Sequence, residues 1–165
     1  MDFESRLSQA IERGEKTREA RVQARERKAL SEEELKNLYS SVRLELTEHI
    51  EAGLRQLADH FPGFRFETVV SEDGWGARIT RADVSLSRSA TRRRSESLYS
   101  RYQILIKPFS PQAKILEAHV KGTIRNREVL NRNSFQFLAE LDRDRFREVI
   151  DQWVLEYAEK FAAGE

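Results

Sequence analysis

Two different spacings of apolar residues divide the chain. Leu35, Leu38, Tyr39, Val42, Leu46, Ile50, Leu54, Leu57 and Phe61 recur every three or four positions. That stripe predicts an amphipathic helix. Ser31 with Glu34 three residues on predicts a capping box at its start, and Pro62-Gly63 predicts its end. After Gly63 the period falls to two. Phe64, Phe66, Thr68 and Val70 share a parity, and Asp73-Gly74 reads as a hairpin turn. The next strand, from Trp75 to about Arg88, has Ala77 and Ile79 on one parity but Ala82, Val84 and Leu86 on the other, which predicts a bulge near Thr80-Arg81. Tyr102, Ile104 and Ile106 alternate in a third strand that Pro108 closes, and Leu116, Ala118, Val120, Gly122 and Ile124 in a fourth. Val129 to Leu138 reads as a fifth, interrupted by asparagines and arginines, with Val129, Phe135 and Phe137 facing inward. Phe146, Val149, Ile150, Trp153, Val154, Tyr157 and Phe161 then form a closing helix capped by Asp142 or Asp144.

Helix, meander and helix joined by short loops predict an α+β fold of two layers. An antiparallel sheet of four to five strands carries the long N-terminal helix and the C-terminal helix on one face, and its other face is open. Residues 30–165 are expected to be a single domain. Residues 1–29 differ, because Phe3, Leu7, Ala10 and Ile11 make only a short stripe before Gly14. Glu12–Lys16 and Glu15–Arg18 favour a helix, yet it could bury little by itself. The expectation is a polar arm, helical or partly disordered.

Charge sharpens this picture. The net charge of +1 hides a basic middle: residues 61–134 carry +7, with −4 on either side of them and +2 in the arm. Arginine outnumbers lysine 22 to 7 overall and predominates in every part of the chain, which reads as a composition bias. On the outward parity, Arg65, Arg78, Arg101, Lys107, Lys121 and Arg125 outnumber Glu67 and Glu117. The loop "SATRRRSESLYSRY" adds Arg88, Arg92, Arg93 and Arg94. The anion-binding candidates are therefore Arg81, Arg88, Arg92, Arg93, Arg94, Arg101, Lys121 and Arg125, although the expected bulge leaves the phase of Arg81 open.

No chemistry of another kind stands out. There is no cysteine, and no HExxH, P-loop, dinucleotide fingerprint or GxSxG stretch. His49, His60 and His119 are scattered, so no metal, cofactor or enzyme activity is expected. Trp75 reads as a core residue. The start MDFESRLSQ does not read as a signal peptide, and no apolar run approaches the ~18 residues of a membrane span, so the expected location is cytoplasmic. The reading is a non-enzymatic protein-interaction module, homodimeric through its N-terminal helices, with Phe3, Leu7, Ile11, Leu35 and Leu38 as interface candidates; another protein is the second candidate partner. The alternative is a binder of an anionic partner, nucleic acid or acidic protein, through a basic open sheet face and the loop 88–101. Nucleic acid ranks lower. Sheets that bind single strands stack bases on outward aromatics, whereas here Phe64, Phe66, Tyr102, Phe135 and Phe137 are all expected inward.

Overall fold

The computed structural model describes residues 2–87 and 94–164. The chain divides into two compact units, Met1–Asn37 and Leu38–Glu165, which are described separately.

Helix α1 (Phe3–His60) accounts for the described part of the first unit. It starts on Asp2, whose Oδ1 accepts the Ser5 amide at 2.9 Å; that bond holds the Asp2 carboxyl below the usual carboxylate range. The helix continues through both Gly14 and Ser31, so the expected capping box is absent. A glycine inside a helix costs only about 1 kcal/mol relative to alanine, and the surrounding glutamates, lysines and arginines are good helix formers. Ser31 lies mid-helix, where no free amides await a cap. Glu12 and Lys16 pair at 3.4 Å on the surface.

The second unit holds the end of α1, strands β1 (Arg65–Ser71), β2 (Gly74–Ser87), β3 (Arg94–Ile106), β4 (Ile115–Ile124) and β5 (Arg127–Phe137), and helix α2 (Arg143–Ala162). The strands form one antiparallel meander in sequence order. Both helices cover the same face. From α1, Arg43 lies over Trp75 and Arg55 over Phe66, and Tyr39 donates its hydroxyl to the Lys107 carbonyl. From α2, Tyr157 stacks on Tyr102 at 4.3 Å and donates to the Thr123 carbonyl at 2.8 Å. The helices also bind each other, through His49 Nε2 and Asp151 at 2.8 Å, through Arg143 and Arg147 on Glu45, and through Phe61 edge-on to Phe161. The predicted stripe is buried from Tyr39 to Leu57, whereas Leu35 and Leu38 are half-buried. Trp75 is likewise half-buried, beneath Arg43.

Two strand expectations are corrected. Pairing of β2 with β3 is unbroken from Trp75↔Ile106 to Ser87↔Arg94, so there is no bulge near Thr80-Arg81. The apolar parity changes where β2 outruns β1, which pairs no further than Arg65↔Thr80. β4 begins to pair at Arg101↔Thr123, and beyond that point β2 and β3 continue as a two-stranded ribbon. The register shift lies instead between Gly122 and Thr123 in β4. It accompanies the second correction, that Phe135 and Phe137 face outward. Phe135 pairs with Glu117 and Phe137 with Ile115, and the two rings contact edge to face at 5.8 Å. The inward positions of β5 are polar but have partners. Arg132 makes two 2.7 Å bonds to Glu156 of α2, and Gln136 bonds both backbone polar groups of Asp142, the α2 N-cap.

No helix of the described residues is long and apolar enough to cross a membrane.

Candidate functional site

The uncovered face of the sheet is built by alternation. With Trp75, Ala77 and Ile79 turned to the helices, Arg78 and Thr80 turn away, as do Tyr99, Arg101 and Gln103 from β3 and His119, Lys121 and Thr123 from β4. Arg78, Tyr99, Arg101, Gln103, Lys121 and Thr123 line a shallow cleft of about 310 Å³. A second cleft of about 510 Å³ shares Gln103 and Lys121 with it and reaches Leu105, Lys107 and His119. The two make one continuous depression across β3 and β4.

Its charges are partly neutralised. Arg78 bonds Glu67 and Gln103 at 3.0 Å, and Lys107 pairs with Glu117 at 2.9 Å. His119 Nε2 contacts the Asn131 amide oxygen at 2.7 Å, and the Asn131 amide donates to Glu128 at 3.1 Å. Arg101 and Lys121 have no carboxylate within ion-pair distance among the described side chains. The Arg101 guanidinium lies 5.5 Å from the centre of the Tyr99 ring, which is itself 45% exposed.

The β4–β5 turn holds this end of the site in place. Arg125 (φ 49°) and Asn126 (φ 67°) are both left-handed, as a two-residue hairpin turn of the primed type requires. The Asn126 amide donates to the Tyr99 carbonyl at 2.9 Å, its side-chain oxygen accepts the Tyr99 amide at 2.9 Å, and its side-chain nitrogen donates to Ser97. The turn thus takes over the pairing of β3 where β4 has ended. Asn126→Gly keeps the backbone free to adopt φ > 0 and removes the two side-chain bonds. Amide exchange at Tyr99 is expected to speed up about tenfold, roughly one net hydrogen bond, while the melting midpoint moves by no more than a few degrees.

The predicted anion-binding residues separate. Arg101 and Lys121 lie together in the depression. Arg125 is at the turn beside it, exposed, with its amide on Ser100 Oγ. Arg94 opens β3 on the ribbon, and Arg88, Arg92 and Arg93 lie outside the described residues. Arg81 is on the helix side, bonded to Asp83 at 2.8 Å and set against Phe161 and Phe64. Phe135 and Phe137, on the open face, were missed. Only the polar partners of Arg132 and Gln136 reveal that phase, and those partners lie 24 and 6 residues away.

No three histidines, aspartates or glutamates among the described residues are grouped to hold a metal. Apart from Asp2, the groups with displaced pKa values are the core tyrosines Tyr39, Tyr102 and Tyr157, all raised chiefly by burial. They serve packing, since two donate to backbone carbonyls of the sheet.

Comparison with protein-family models, curated proteins and solved structures returned no match.

Proposed function

We propose that the protein is a non-enzymatic interaction module that acts as a homodimer joined through its N-terminal helix. One observation carries the reading: every residue from 2 to 27 is exposed, including Phe3 (77%), Leu7 (48%) and Ile11 (54%). An isolated helix gains most of its stability from packing an apolar face, and residues 2–27 bury none. A second copy offers an identical three-turn stripe, and a two-fold contact makes one patch serve both sides. Leu35, half-buried, extends the apolar series toward the end of the unit.

Light scattering on the size-exclusion peak tests the reading. The full chain is expected at about twice its 19.3 kDa mass at micromolar concentration. The exposed double substitution Leu7→Glu/Ile11→Glu is expected to return it to one chain mass with the sheet intact by circular dichroism, because like charges at facing positions repel. A wild-type chain that elutes as a monomer throughout that range contradicts the proposal.

A further inference from the structure

We infer that the open sheet face binds single-stranded nucleic acid along a diagonal track from Tyr99 and Arg101, across Lys121, to Phe135. The track joins what such a ligand requires. Arg101 and Lys121 are cations without carboxylate partners among the described side chains, available to phosphates. Tyr99, Phe135 and Phe137 are exposed rings on the same face, at 45%, 55% and 54%. Base faces stack on such rings whatever the sequence. Gln103 lies between the cations and Asn133 beside Lys121's strand, and both can donate to or accept from base edges.

The dimensions agree. Arg101 and Phe135 are two strands and six residues of strand rise apart, about 22 Å. That is enough for a few unstacked nucleotides, at the short end of the sites that single-strand binders occupy. At its other end the track meets the β2–β3 ribbon. Seven residues of β3, about 23 Å, lead from Arg101 back along this ribbon to the start of the strand. Residues 61–134, which hold the cations of the face, carry a net +7.

A single strand fits better than the other anionic polymers. A duplex hides its base faces, so exposed rings would add nothing. An acidic peptide would use the cations, but it has no planar groups for Phe135 and Tyr99.

Fluorescence anisotropy with labelled oligothymidylate and oligouridylate of about a dozen nucleotides, titrated with salt, tests this. Full-length wild type is expected to bind both. Arg101→Ala/Lys121→Ala is expected to weaken binding at least tenfold and to flatten the plot of log affinity against log salt by about 1.4, at about 0.7 per lost phosphate contact. Phe135→Ala is expected to weaken binding about tenfold with the salt slope unchanged, the mark of stacking rather than charge. Leu155→Ala, an exposed apolar change on the covered side's helix, is the control and should match wild type. All four sites are at the surface, and equal melting midpoints establish that the variants fold. The inference is overturned if wild type binds neither oligonucleotide, if duplex DNA or polyglutamate binds more tightly, or if Phe135→Ala binds as wild type does. The Leu7→Glu/Ile11→Glu variant separates the two proposals: it should stay bound to oligonucleotide per chain even where it no longer dimerises.

Discussion

Raising the pH above 10 is expected to unfold the sheet-and-helix unit cooperatively, well before its arginines titrate. Tyr39, Tyr102 and Tyr157 are buried, and burial penalises the phenolate. Tyr39 is pushed up to about 12, with Arg43 opposing part of the rise. Tyr102 and Tyr157 are raised as well, Tyr102 further by its neighbours Tyr157 and Glu156. The sign follows directly. Below pH 10 both states hold the proton and stability is intact. Above it the unfolded chain ionises while the folded chain does not, so stability falls by about 1.4 kcal/mol per pH unit for each such tyrosine. For Tyr39 that loss runs from 10 to about 12. Tyr102 and Tyr157 act in the same direction, against a total stability of about 5–15 kcal/mol for an ordinary domain. Phenolate absorbance and helix circular dichroism should therefore change together in a pH titration.

Two conservative variants separate the contributions. Tyr157→Phe removes the bond to the Thr123 carbonyl and should cost about 1 kcal/mol at neutral pH. Tyr102 has a buried hydroxyl without a partner, so Tyr102→Phe should be neutral or stabilise by up to about 1 kcal/mol. Either variant should flatten the alkaline fall by about 1.4 kcal/mol per pH unit. Phenols that all ionise near pH 10, with the circular dichroism unchanged, would contradict this account.

How much of this was legible in the sequence follows from how local each signal is. The stripe from Tyr39 to Leu57 and the alternation of Tyr102, Ile104 and Ile106 are dense runs, each facing one surface, and both are buried as read. Ser31 misled because a cap is a weak local preference, and the long run of helix-forming side chains on both sides outweighs it. The apparent bulge at Thr80-Arg81 was a true change of apolar parity. It marks where the sheet narrows to the β2–β3 ribbon, not where pairing shifts, and alternation alone cannot tell these apart.

The open face was legible as a consequence of two layers, and Arg101 and Lys121 followed from parity. Its aromatic component was not. Phe135 and Phe137 look like core, and Arg132 and Gln136 look like surface, until Glu156 and Asp142 are seen to satisfy them. That reversal answers the objection to a nucleic-acid ligand for Phe135 and Phe137 alone; Phe64, Phe66 and Tyr102 stay on the helix side. Arg81 failed for the opposite reason: its apolar stem and flat guanidinium suit a site against Phe64 and Phe161, where a charge alone would be costly.

Gly76→Ala is expected to destabilise the sheet more than an ordinary overpacked side chain does. Gly76 sits mid-sheet in β2, opposite Val69 on one side and Leu105 on the other, both buried. A Cβ there would collide with the Ile104 carbonyl oxygen and press on the Leu105 Cα at 3.1 Å. These are backbone atoms of β3, so relief requires the central β2–β3 ladder to open rather than a side chain to turn. Gly122→Ala makes the comparison. Its Cβ would meet ring edges of Tyr157 and Tyr102 at 2.9 and 3.0 Å, and rings can shift slightly. Gly122→Ala should cost about 1–3 kcal/mol, the usual range for overpacking, and Gly76→Ala more than about 3 kcal/mol. Urea midpoints with their slopes measure both. The order also reports on the open face, because Arg78, two residues along the same strand, depends on that ladder for its place beside Gln103. A Gly76→Ala chain with a wild-type midpoint would mean that β2 and β3 do not approach as closely as this.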